Sequence, residues 1–95
     1  MRRQILSAQL QPESCQDLEM PASAMALSVE LVGNMPTIYL LADMDEPLVT
    51  REALMLMEYA VLPPDVHIDE YVGSVSMAGG STVLHIFLKK DESSL

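Results

Sequence analysis

Two histidines and a scatter of carboxylates are the side chains of this sequence that could do chemistry. His85 lies in Thr82-Val83-Leu84-His85-Ile86-Phe87-Leu88, where side-chain alternation puts Val83 and Phe87 on its face. Acid-base or nucleophilic work at His85 needs a Cys, Ser or carboxylate brought alongside, so a structural, hydrogen-bonded histidine is the expectation. His67 sits in Asp65-Val66-His67-Ile68-Asp69-Glu70. Three carboxylates and an imidazole there invite a metal, but the spacing matches no ordered ligand loop, and a solvated acidic loop is expected. Asp43-x-Asp45-Glu46 lacks the glycine turn and terminal glutamate of a calcium loop. Gly79-Gly80 has no nearby Lys or Arg to help hold an anion, and it reads as a turn. Cys15 lacks a basic neighbour to activate its thiol. No nucleophile and base are paired in this reading, so neither an enzyme nor a cofactor or metal site is expected.

Charge is the stronger signal. The 95 residues carry 14 Asp and Glu against 5 Lys and Arg, a net charge of −9. Arg2, Arg3, Lys89 and Lys90 stand near the two ends, which leaves Arg51 as the one base between residues 4 and 88. Such a chain repels phosphate backbones and anionic membranes, so direct binding to nucleic acid or membrane is disfavoured. A basic protein partner is the alternative. The acids expected to be exposed and short of neutralising bases are those of two loops, Asp43, Asp45 and Glu46 with Asp65, Asp69 and Glu70, and these are the candidate partner-binding residues. The competing reading is that acidity serves only solubility.

The elements that must position these groups read mainly as strands. Residues 2–10 suit an early strand ended by Pro12. Asp17 to Met20 alternates polar and apolar and stops at Pro21, as an edge strand does. Leu27, Val29 and Leu31 alternate with Ser28 and Glu30, and Gly33-Asn34 precedes the apolar run Ile38 to Ala42, which predicts a β-hairpin. Thr50 to Ala60 is ambiguous: its Ala, Leu, Met and Glu favour helix, yet Leu54 to Met57 is continuously apolar and periodicity does not decide. Tyr71–Met77 and Thr82–Leu88, joined across Gly79-Gly80, predict a second hairpin. Eight methionines and only four aromatics leave the thioethers to fill the core or to form an adaptable partner surface.

The run Ala26 to Val29, Gly33-Asn34-Met35-Pro36, and above all Tyr71-x-Gly73 followed by Gly79-Gly80 and His85-x-Phe87 resemble a family of small proteins encoded by tailed phages and prophages, over roughly residues 15–88. The resemblance implies an accessory protein of phage origin, with an anti-CRISPR type of inhibitor in view. It also implies extended structure across residues 52–59 and carries over no catalytic residue.

A chain of this length buries about 64 % of its unfolded surface, enough for one modest core. The expectation is one mainly antiparallel β domain over residues 1–90, a meander of five to seven strands in a small sandwich or open barrel with one short helix at most, and a frayed tail over 91–95. The alternative is α+β with a helix at 50–60. Unpaired sheet edges predict a homodimer. The single cysteine and the lack of a long apolar stretch after Met1 point to the cytoplasm of the host cell. Three roles compete: an inhibitor of a host defence or nucleic-acid-binding factor through phosphate-mimicking acids, a phage housekeeping or virion-associated structural module, and a small enzyme or ligand-sequestering protein.

Overall fold

A computed structural model describes residues 1–90; the expected frayed tail lies outside the described residues. Among these residues seven strands form, β1 (Arg3–Gln9), β2 (Cys15–Pro21), β3 (Met25–Val32), β4 (Met35–Asp43), β5 (Leu48–Met57), β6 (Tyr71–Met77) and β7 (Thr82–Leu88). The helical elements among the described residues are two short 3-10 turns, Ile68–Glu70 and Ala78–Gly80. All pairing is antiparallel, in one sheet ordered β1-β4-β3 and another ordered β2-β5-β7-β6. The mainly β expectation therefore holds, as two open sheets around a shared core rather than a closed barrel.

Both expected hairpins are present. Val32 pairs with Met35, so Gly33 and Asn34 alone make the turn, with φ of 59° and 66°. Positive φ at both central residues matches the right-handed strand twist, and Gly and Asn accept it at little cost. Core residues come from both sheets: Ile38, Leu40 and Ala42 of β4 meet Ile86 and Leu88 of β7, Ala53 of β5 and Met20 of β2. β2 ends its sheet as an edge strand, which suits its terminal proline.

The helix alternative at 50–60 is overturned, since β5 runs through most of that segment. Its apolar run is continuous because the strand is covered on both faces. Ala53 and Met55 pack into the core between the sheets, while Leu54 and Leu56 point the other way and pack with Val66 and Phe87. Val66 belongs to the segment between β5 and β6, which lies over the outer face of the four-stranded sheet. Burial on alternate faces outweighs the few tenths of a kcal/mol per residue by which Leu and Met favour helix.

Two further features place the surfaces discussed below. β3 packs against β6, and at that contact the β6 backbone comes close: a Cβ on Gly73 would stand 3.1 Å from Cγ1 of Val29. The outer face of the three-stranded sheet carries one apolar row, Ile5 opposite Leu41 opposite Met25, in which Ile5 is 67 % and Met25 60 % exposed.

Candidate functional site

The six loop acids are not the unneutralised set that the chain order suggests. Antiparallel pairing of β1 with β4 brings Arg2 beside the loop after β4, where its Nε donates to Asp45 Oδ1 at 2.8 Å. Asp43 Oδ1 accepts the backbone N–H groups of Asp45 at 3.0 Å and Arg2 at 3.2 Å. Glu46 accepts the backbone N–H and the hydroxyl of Ser23. At the other loop Lys89 pairs with Asp65 and reaches Glu52 at 3.7 Å, and Lys90 pairs with Asp69. Glu70 departs furthest from expectation: it is buried, Oε1 accepting the His67 N–H at 2.8 Å and Oε2 the Lys90 N–H at 2.7 Å. Bases remote in sequence close onto the loops because strand ends meet there.

These contacts shift titration. The Asp45 N–H is the main cause holding the Asp43 carboxyl below the usual carboxylate range. Hydrogen bonds from Lys89 and Lys90 do the same for Asp65 and Asp69, and Asp69 in turn raises Lys90. A carboxyl depressed in the folded state contributes stability above its unfolded pKa and loses it as pH falls through the folded one. The stability difference between the native chain and Asp69→Asn is therefore expected at pH 7, vanishing once the pH drops below the depressed carboxylate range. It also fades above about pH 10.5 as Lys90 loses its proton. Urea titrations across pH measure it; a difference independent of pH would show that the pair does not form.

Asp43, Glu46 and Glu70 are thus held by backbone N–H groups or a serine rather than by a Lys or Arg side chain, and among the described residues further acids without such a partner lie outside the two loops. Asp17 and Glu19 are exposed on edge strand β2, Glu13 precedes them, and Asp17 stands directly opposite Glu52 on β5. Like charges opposed across a strand pair repel, and of these acids only Glu52 has a counter-charge among the described residues, Lys89 at 3.7 Å. Glu30 is a further exposed acid, on β3.

A second surface was invisible in the sequence. Between the segment after β5 and the outer face of β6 and β7 lies a pocket of about 370 Å³, lined by Leu56, Leu62, Ile68 and Phe87 with Glu58, Tyr59, Tyr71 and His85 at its polar parts. His85 Nδ1 is 2.8 Å from the Tyr71 hydroxyl, and Nε2 is 3.6 Å from a Glu58 carboxylate oxygen. The Tyr71 ring meets Phe87 edge-on with centroids 5.1 Å apart. Tyr71, His85 and Phe87, read only as a spacing, thus touch one another in space. The register puts Tyr71 opposite Phe87 and Ser74 opposite His85, and the bulge between Tyr71 and Gly73 is what defeats strict counting from the glycine turn. Glu58 is the carboxylate that His85 lacked in the sequence reading.

The rim of this pocket is unusually apolar. Tyr59 is fully exposed and Ile68 79 % exposed, and Tyr59 takes a positive φ of 69°. A bulky residue in the left-handed region is strained by about 1–3 kcal/mol, and here it sits in the turn closed by the Ala60 N–H on the Met57 carbonyl. Exposed apolar groups gathered at one place mark interaction sites. Among the described residues no group of three or more His, Cys, Asp or Glu could hold a metal ion, and no helix is long and apolar enough to cross a membrane.

No curated protein and no solved structure matches this chain. A family model described as Domain of unknown function (DUF7352) matches residues 1–95, and the chain belongs to that family.

Proposed function

We propose that this chain is a small acidic interaction protein that engages a basic protein partner, most simply a host nucleic-acid-binding or defence factor whose phosphate site it occupies. The phage origin, the anti-CRISPR type of inhibition and the host cytoplasm as its place of action are part of this proposal, and they rest on the resemblance noted above and on charge. The observation that supports it best is the pair Asp17 and Glu19 displayed on edge strand β2 without neutralising side chains among the described residues, with Glu13 in the turn before them and Glu52 opposite Asp17. Of the loop acids first singled out, Asp45, Asp65 and Asp69 join this reading only if a partner's bases displace Arg2, Lys89 and Lys90 from them. Exchange of one salt bridge for another gains little, so the β2 row carries the affinity.

The test is capture of the partner from host lysate at low and high salt, followed by calorimetry on the purified pair. Glu13→Gln, Asp17→Asn and Glu19→Gln together are expected to weaken binding by about tenfold or more and to flatten its salt dependence, because exposed charges act over about 8 Å at physiological salt. Changing Asp43, Asp45 and Glu46 to their amides is expected to do less. Equal affinity in the β2 variant, at equal melting temperature, removes phosphate mimicry.

A second reading, a phage structural module that assembles with copies of itself, is favoured by the exposed row of Ile5, Leu41 and Met25. A homodimer through that face predicts that Met25→Lys shifts sedimentation from dimer to monomer; a native chain already monomeric at tens of micromolar argues against it.

A further inference from the structure

We propose that the pocket between Glu58 and Phe87 is an anchor for an arginine side chain of the basic partner, an inference that rests on the basic-partner reading and names where that partner is held. At about 370 Å³ the cavity lies at the small end of ligand pockets, about 300–1,000 Å³, and has room for one long side chain. Its walls, Leu56, Leu62 and Ile68, match the three-carbon stem of arginine. The lining also offers the opposite: the Glu58 carboxylate is half-exposed, and its one basic neighbour among the described residues is His85, at 3.6 Å, beyond a hydrogen bond. That carboxylate keeps its acceptor capacity for an incoming donor.

Charge decides the class of ligand. An anion meets Glu58 on a chain of net charge −9 and is repelled. A wholly apolar ligand would cover that carboxylate without pairing it, which costs free energy. A guanidinium pairs it through two parallel N–H···O bonds, a geometry that lysine's ammonium cannot copy. The tyrosines complete the fit. Tyr71 is held by its hydrogen bond to His85 and presents a preset aromatic surface, and Tyr59 stands unpacked at the mouth, held by its turn. Planar cations favour such ring faces.

The experiment is a proton–nitrogen NMR titration of the labelled full chain with N-acetyl-arginine methylamide, run beside the citrulline, lysine and norleucine analogues. Citrulline keeps the shape and removes the charge. Saturable shifts are expected at the amides of Glu58, Tyr59, Leu62 and His85 with arginine, several-fold weaker binding with lysine, and no saturation with citrulline or norleucine. Glu58→Gln should weaken arginine about tenfold, as loss of a charge-assisted pair does, with the rest of the spectrum unmoved. Norleucine or citrulline binding as well as arginine overturns the inference in favour of a neutral apolar ligand, and shifts confined to the β2 row overturn it in favour of diffuse charge attraction. The two proposals separate cleanly. Partner binding that depends on the β2 acids while the pocket ignores arginine removes the anchor alone, whereas arginine binding in the pocket while partner affinity ignores the β2 acids removes phosphate mimicry alone.

Discussion

Ile86→Ala is expected to lower the stability of the chain by about 2–5 kcal/mol, the range for truncating a fully buried aliphatic side chain in a core that collapses only in part. Ile86 has no exposed surface and lies on β7, an interior strand of its sheet, packed in the cluster that holds Ile38 and Leu40. A loss of that size is a large share of the roughly 5–15 kcal/mol that keeps a domain folded. It also reaches the candidate site, because His85 and Phe87 flank Ile86 and point to the opposite face. Loosening β7 therefore disorders the pocket without touching a lining residue. Urea unfolding measures the loss, and Ile86→Val should cost only about 0.5–1.5 kcal/mol. A loss below about 1 kcal/mol for alanine would mean that the two sheets do not close over this position.

Replacing Glu70 comes second in expected effect. Its two carboxylate oxygens accept one backbone N–H each, from His67 and Lys90, and so tie the 3-10 turn to the end of β7. Glu70→Gln turns one acceptor into a donor facing a donor, and leaving a buried N–H unpaired costs about 1–3 kcal/mol. Glu70→Ala abandons both N–H groups and should cost at least as much. The consequence for function is specific: partner binding lost in a Glu70 variant reports a displaced turn and pocket wall, not a missing surface charge. Thermal melting beside the binding assay separates the two, and an unchanged melting temperature in Glu70→Gln would show that water reaches the N–H group that loses its acceptor.

Much of the architecture could be read from the chain alone, for local reasons. Gly33-Asn34 permits the backbone angles that one tight turn needs, whereas the alternation from Leu27 to Leu31 marks the strand but not its faces, because a bulge at Leu27 leaves Ala26 and Val29 on the core and Leu27 exposed. Pro21 marks an edge strand because it cannot donate to a neighbour. The −9 charge follows from composition. β5 was locally undecided, since propensity favours helix and a continuous apolar run fits either element until Val66 and Phe87 are known to cover the strand's second face.

Where the charges are free and where side chains converge was decided only by tertiary structure. Arg2 finds Asp45 across 43 residues and Lys89 finds Asp65 across 24, so acids that look unopposed along the chain are paired in space, while Asp17 and Glu19 are left bare. Glu70, expected at the surface, is sealed beneath the end of β7. Tyr71, His85 and Glu58 assemble through strand register, one bulge and a covering segment. Composition counts charges and periodicity assigns faces, but pairing depends on distances between residues far apart in sequence, and those distances exist only once two sheets have stacked.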